Sequence, residues 1–264
     1  CPVIISGGVS SIEDVKKAID RGDAPPLNQK STGEPEHDVV ALEGIRRVTA
    51  QRLSAHWSGA PQVTEGIEID MTQARAYRTA HRDEWRSTLE TMPTLNDLVV
   101  QATASALAAH PSLNAALVDD SIHRYRDINL GVAIDVEDGL VVPVLRHVDK
   151  LSLGEIATGV ANLTSLAKDK KLTPQDFEGA TFTVSNLSTL GVDWFTPVLN
   201  PPQCALLGVG RMRRAPAVVG HEILIRDLAT FVLTFDHRVL DGAPAARFLV
   251  KLKRLLESLG TQSG

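Results

Sequence analysis

Cysteine is almost missing from this chain. Of 264 residues only Cys1 and Cys204 are cysteines, too few for a disulfide framework and matching no zinc-ligand spacing, so no metal site is expected and a reducing compartment fits. No run of Lys and Arg is long enough to track a phosphate backbone, and the net charge is -5, so nucleic acid is not an expected partner. No apolar stretch reaches the roughly 18 to 20 residues that span a bilayer, and the N-terminus lacks the charged-then-apolar order of a secretion signal. No membrane association is therefore expected. The expected location is cytoplasmic, or an organelle matrix if the native N-terminus has been trimmed. Internal repeats are absent, and so is any G-x-S-x-G elbow, which removes the serine hydrolases that need one.

What is present is the composition of a soluble globular protein, 43% hydrophobic and 22% charged, at a length that suits one large domain or two small ones. The opening CPVIISGGVSSIEDVKKAIDRGDAPP holds one helix: Ser10 or Ser11 as N-cap, Glu13 and Asp14 in the first turn, Lys16 and Lys17 later, then Gly22 and the Pro25-Pro26 stop. Residues 23–37, DAPPLNQKSTGEPEH, are rich in Pro, Gly and polar residues without periodicity, the signature of a linker. Residues 38–264 have the composition of a packed domain.

Within that domain, VALEGIRRVTAQRLSAHW sets Leu42, Ile45, Val48, Leu53 and Trp57 at helical spacing. QVTEGIEIDM alternates as a half-buried strand does. One long helix is predicted next, then another over TLNDLVVQATASALAAHP, capped at Thr94 and closed before Pro111. SIHRYRDINLGVAIDV and GLVVPVL, joined across a Glu137-Asp138-Gly139 turn, read as strands. Residues 152–170 read as a helix through Leu153, Ile156, Val160, Leu163 and Leu166. TFTVSNL, CALLGVGRM and EILIRDLATFVLTFDH read as strands, and PAARFLVKLKRLLESLG as a closing amphipathic helix that ends at Gly260. Helices and turn-linked strands do not alternate strictly, so the expected fold class is α+β, a two-layer sandwich with a mixed β-sheet covered by helices.

Two short stretches carry chemistry. In FVLTFDHRVLDGAPAARFL an apolar strand ends at Asp236, and His237 begins the turn into the helix that Pro244 opens. A histidine at the mouth of a sheet can be partly buried yet reach a cavity, and ordinary imidazole, titrating near ~6.5, takes and returns a proton at neutral pH. Asp241 lies close enough to hold local geometry or to pair with a neighbouring arginine, and Gly242 permits the tight backbone that follows. In TFTVSNLSTLGVDWFTPVLNPPQCALLGVG the strand breaks at Ser185-Asn186, offering a hydroxyl and an amide; such donors, preorganised at a developing oxyanion, are worth about 3 to 4 kcal/mol. Taken singly, each stretch reads equally well as an ordinary structural turn.

Their order and content join them. INLGVAIDVEDGLVVPVLRHVDKLSLGEIA (128–157), TFTVSNLSTLGVDWFTPVLNPPQCALLGVG (181–210) and DHRVLDGAPAARFL together closely resemble the catalytic domain of the 2-oxo acid dehydrogenase acyltransferases, the E2 components of pyruvate-dehydrogenase-like complexes, over about Val39 to Gly260. The DHRxxDG pattern is specific in this setting; its H-x-x-x-D-G core is shared more widely, including with chloramphenicol acetyltransferase, whose fold the resemblance implies.

By that resemblance the reaction moves an acyl group between a dihydrolipoyl thioester and coenzyme A. His237 matches the general base that deprotonates the attacking thiol. Ser185 matches the hydroxyl that steadies the tetrahedral oxyanion, and Asp241 the residue that keeps the loop and histidine in place. Asn186 is expected as a supporting, substrate-binding donor. The resemblance also implies a homotrimer with its site between subunits, larger trimer-based cores, and E1 and E3 as partners. TFTVSNL and NPPQCALLGVG look closer to acetyl-transferring and acetoin-type relatives than to branched-chain or succinyl ones. The chain lacks the Asp-Lys-Ala hairpin of a lipoyl domain, so the lipoyl group is expected from another domain or protein. Ser188 stands where a glycine is common, and Gln62 where many relatives place a histidine.

GGVSSIEDVKKAI is similar to the last half of a peripheral-subunit-binding domain, while PVIISGG also suits the strand and glycine turn of a phosphate-binding βα unit. Two other functions remain open: a free-standing CoA-dependent acetyltransferase acting on a small acceptor, and a non-catalytic assembly core. The second of these would have no use for His237, Asp241 and Ser185 together.

Overall fold

The computed structural model describes residues 37–260 apart from 40, 42 and 138, so the predicted opening helix and all but the end of the predicted linker lie outside the described residues. Internal contacts divide the chain into Cys1–Leu42 and Glu43–Gly264; the second unit carries the fold. It begins with helix α1 (Gly44–Gly59), followed by strand β1 (Gln62–Asp70), helices α2 (Thr72–Ala80), α3 (Arg82–Thr88) and α4 (Leu95–Ala109), and a first hairpin, β2 (Ala115–Val118) with β3 (Ser121–Arg124). The short strands β4 (Leu130–Val132), β5 (Ile134–Val136), β6 (Gly139–Val141) and β7 (Val144–Leu145) precede helix α5 (Leu153–Lys168). Strand β8 (Phe182–Asn186), the long strands β9 (Ala205–Val219) and β10 (Glu222–Asp236), and helix α6 (Gly242–Glu257) complete it.

Six strands form one sheet in the order β1-β10-β9-β8-β4-β7. The pairs β1/β10, β10/β9 and β4/β7 are antiparallel, whereas β9/β8 and β8/β4 are parallel, so the sheet is mixed, as the fold-class expectation requires. Because side chains alternate along a strand, the register sorts the sheet into two different faces. Phe231, Leu233 and Phe235 of β10, Leu207 and Val209 of β9, and Phe182 and Val184 of β8 share a core with Leu98, Val99 and Leu107 of α4 and Phe248, Leu249 and Leu252 of α6. Each fully buried large side chain of this kind contributes about 1.5 to 3 kcal/mol of transfer free energy. The residues between them, Thr64, Thr183, Ser185, Gly208, Gly210 and Thr234, are small or hydroxylated and face away from that core.

Segment 187–204 packs on this second face. A Cβ on Gly208 would stand 3.0 Å from the ring of Phe195, and one on Gly210 only 1.9 Å from the carbonyl oxygen of Asp193. The ladder slips here: Met212 pairs with Ala229 but Val209 with Phe231, a bulge that leaves Arg211 free to donate its N–H to Val192 O at 2.6 Å and its side chain to Asp193.

Helix boundaries follow the capping chemistry. Thr94 Oγ1 accepts from Asp97 N–H at 3.2 Å while the Asp97 carboxylate accepts from Thr94 N–H at 2.7 Å, and Ser152 with Glu155 repeats the motif at α5. Four expectations need correction. The single long helix after β1 is two, because the chain leaves helical geometry at His81, whose Nδ1 bonds Tyr77 O at 2.9 Å and whose ring lies between Tyr77 and Trp85. Trp57, assigned by spacing to the packed stripe of α1, is exposed. Strand β9 runs seven residues past Met212; Arg213, Arg214 and Pro216 hide the continuation, which only pairing with β10 reveals. The last helix starts at Gly242, two residues before Pro244.

Thr94→Ala removes the hydroxyl that accepts from Asp97 N–H, leaving only the backbone half of the α4 cap, and is expected to destabilise the domain by about 1 kcal/mol, measurable as a lower urea midpoint with an unchanged slope.

Candidate active site

The site begins where β10 ends. Pairing with β1 continues past the last strand residue, His237 N–H donating to Pro61 O at 2.9 Å, and the chain then turns sharply. Asp236 makes the turn. It is 2% exposed, its backbone N–H is held by Cys204 O, its carbonyl accepts from the N–H groups of Val239 and Leu240, and its carboxylate accepts from Arg238 N–H at 3.0 Å and from the Arg238 guanidinium at 2.6 to 3.2 Å. These bonds hold the Arg238 guanidinium still further above its ordinary range. A buried carboxylate paired bidentately with a planar guanidinium resists rotation, so His237 projects from a fixed frame. Its side chain is 44% exposed, its ring lies 5.8 Å from that of Phe235, and Nδ1 is 3.9 Å from Asp241 Oδ1.

Asp241 is the N-cap residue of α6, but its side chain caps nothing and is 87% exposed. The neighbouring arginine goes to Asp236 instead. A different carboxylate lies on the inner side: Glu65 of β1, whose Oε1 is 2.7 Å from where a Cβ on Gly242 would stand. Burial raises the Glu65 carboxyl above its usual range, partly offset by the charge of His237. Sequence reasoning missed both Asp236 and Glu65. The signal for Glu65 was available, since a carboxylate occupies an inward slot in the alternation Val63, Glu65, Ile67, Ile69.

Ser185 lies elsewhere. It sits near the C-terminal end of β8, 9% exposed, opposite Gly208 of β9, on the face away from the main core. Asn186 follows, donating Nδ2–H to Asn96 Oδ1 at 2.8 Å and accepting Ser188 N–H on Oδ1 at 2.9 Å, so the amide is engaged in pinning the turn to α4. Ser188 does not need a glycine's conformation; the left-handed residue is Gly191, with φ 79°. Gln62 lies opposite Asp236, accepts Leu199 N–H at 3.3 Å, and keeps a buried Nε2 without a partner among the described residues.

The structure brings His237 and Asp241 together and Ser185 and Asn186 together, but not the two pairs. Gly208 lies opposite Val232, five positions before His237. At about 4.8 Å between strands and ~3.3 Å per residue, the Ser185 and His237 backbones stand roughly 19 Å apart, two strands across and five residues along the sheet. Two hollows on the chain, about 450 Å³ beside Thr94, Asp97 and Lys168 and about 410 Å³ beside Thr64, Thr230 and Trp194, include neither residue. Cys204 is buried, its thiol pushed up to about 12 mainly by desolvation, so it stays protonated and is no nucleophile. Among the described residues, no cluster of His, Cys, Asp and Glu could hold a metal ion and no helix is long and apolar enough to cross a membrane.

This fold is that of acyltransferase cores. The dihydrolipoamide acetyltransferase of Azotobacter vinelandii, solved in work on the role of a serine, a histidine and an asparagine in its catalytic mechanism, is 33% identical with a TM-score of 0.82, covering 90% of this chain and 98% of that one. The chain belongs to the 2-oxoacid dehydrogenases acyltransferase (catalytic domain) family, which matches residues 34–262. Among its relatives, the acetyltransferase component of the acetoin cleaving system of Bacillus subtilis (strain 168) is 34% identical over 95% of this chain and 63% of that protein. The succinyltransferase component of the 2-oxoglutarate dehydrogenase complex of Rickettsia typhi (strain ATCC VR-144 / Wilmington) is 35% identical over 86% and 57%. The chain thus spans little more than half the length of the curated relatives it matches.

Two outcomes test this geometry. Gly210→Ala forces Asp193 aside and is expected to cost about 1 to 3 kcal/mol while making segment 187–204 the first site of limited proteolysis. Cys204 is expected to resist thiol reagents in the native protein and to react on unfolding, as followed by the mass of its peptide.

Proposed function

We propose that this chain is the catalytic domain of an E2 component, transferring an acyl group, acetyl in preference to succinyl, between a dihydrolipoyl thiol and coenzyme A. One observation carries the reading: a histidine held in a locked turn and a buried strand serine at the sequence separation that the Azotobacter enzyme's histidine and serine show. Asp241 stands at the separation of that enzyme's asparagine. His237 is the general base, Ser185 the oxyanion donor and Asp241 the residue that steadies the turn. Asn186, with one amide hydrogen committed to Asn96, has a second to offer a substrate carbonyl.

The chemistry balances without a redox partner. A free thiol titrates near ~8.5 and is mostly protonated at neutral pH, so His237 removes its proton as the sulfur attacks the thioester carbonyl. The carbonyl oxygen becomes an oxyanion, to which the Ser185 hydroxyl donates. Collapse breaks the old carbon–sulfur bond, and the departing thiolate takes the proton back from His237. Coenzyme A and the lipoyl group are substrates, the latter supplied by another domain or protein.

Because one chain holds the two groups roughly 19 Å apart, the site needs His237 from one copy and Ser185 from another, which is what a homotrimer with cyclic symmetry supplies. Residues 38–264 are the catalytic domain in this reading, 23–37 the linker, and 1–22 part of a module that docks E1 or E3. The proposed setting is cytoplasmic.

Thioester formation from acetyl-CoA and dihydrolipoamide tests the reading. His237→Ala is expected to abolish transfer and Ser185→Ala to lower it by roughly two to three powers of ten. Co-assembling the two variants is expected to restore about a quarter of the sites, since one interface in four then joins an intact histidine to an intact serine. No recovery on mixing would place both groups in one copy's site. A chain inert toward dihydrolipoamide that acetylates another small acceptor would be a free-standing acetyltransferase.

A further inference from the structure

We propose that Glu65 is a positioning residue for His237, a partly buried carboxylate set against the first turn of α6 that steadies the imidazole while it carries the thiol's proton. The inference rests on the acyltransferase reading above and concerns a residue that the motif does not contain.

Glu65 occupies an inward slot of β1, opposite Leu233, where Val63, Ile67 and Ile69 of the same strand pack against the core. Such a slot favours an apolar side chain, and burying a carboxylate there without a partner is unfavourable. Among the described residues Glu65 forms no hydrogen bond and no ion pair. Its Oε1 fills the volume that any side chain at position 242 would need, so glycine at the start of α6 and glutamate on β1 fit each other. The positive end of the α6 dipole lies beside it. His237 is tied by its N–H to Pro61, next to β1, and Gly242, against which Glu65 Oε1 lies, is five residues further on, so Glu65 sits beside the turn that carries the imidazole.

The other charged groups around His237 are differently placed. Asp241, on α6, is 87% exposed and faces water, which screens its charge. Arg238, in the turn, is occupied by Asp236. Glu65, on β1, is partly buried, so water screens its charge less than that of Asp241. When His237 accepts a proton, a fixed negative charge on the inner side stabilises the imidazolium in place; when the proton leaves, nothing needs to move.

The test uses the full assembled chain with acetyl-CoA and dihydrolipoamide, wild type beside Glu65→Gln and Glu65→Asp, with rates taken from about pH 5 to pH 9. For Glu65→Gln we expect kcat to fall about tenfold with KM for both substrates unchanged, and the acid limb of the kcat/KM profile to move to lower pH. For Glu65→Asp, which keeps the charge, we expect the limb to stay at its wild-type position. Equal losses in both variants with an unmoved limb would assign Glu65 to packing and overturn the inference, as would wild-type kinetics in Glu65→Gln. If Glu65→Gln does not assemble, Glu65→Leu, which suits an inward slot and also removes the charge, takes its place: its limb is expected at lower pH, and an unmoved limb overturns the inference. Wild-type protein that acylates nothing would instead overturn the acyltransferase reading on which the inference stands.

Discussion

A carboxylate with almost no access to water ends one of the two longest strands of the sheet. Asp236 is tolerable there because Arg238, two residues on, closes a bidentate pair over it and the backbone donates as well. Removing one partner from such a pair is costly, so the turn has essentially one conformation. Everything downstream inherits that frame: the projection of His237, the cap position of Asp241, and the entry of α6, whose Phe248, Leu249 and Leu252 lock the helix onto the sheet.

The sheet separates structural from chemical work by face and by end. One face is aliphatic and aromatic and packs against helices; the other carries Leu206 and Val232 among glycines, threonines and Ser185, and Gly208 and Gly210 let segment 187–204 lie close to the backbone. Because β9 pairs parallel with β8 and antiparallel with β10, β8 and β10 run in opposite directions, and their C-terminal residues Ser185 and His237 are carried apart. Within one chain the two groups stand apart, and the subunit-shared site proposed above rests on that separation together with the resemblance.

Glu65 and Gln62 are polar residues near the turn that lie outside the signature. Both come from β1, the edge strand added to β10; Gln62 keeps a buried Nε2, whereas Glu65 is only partly buried. Edge strands tolerate such residues better than central ones because part of each side chain can still reach solvent or a neighbouring subunit.

How much of this was legible beforehand depends on the range of the interaction. Caps at Thr94 and Ser152, the Ser185-Asn186 break, the apolar run into Asp236 and the amphipathic last helix are local, fixed within three or four residues by hydrogen bonding and periodicity, and the sequence alone determined them. The break at His81, the exposure of Trp57, the extra length of β9 and the loss of Arg238 to Asp236 were not legible, because each is decided by a partner elsewhere in the fold or by a competition between two nearby charges. For Ser185 and His237 the sequence supplied the residues, and the resemblance implied that they meet between subunits. How far apart one chain holds them was decided only by the tertiary structure, since which strands become neighbours, and which way each runs, is fixed only when the apolar faces find one another.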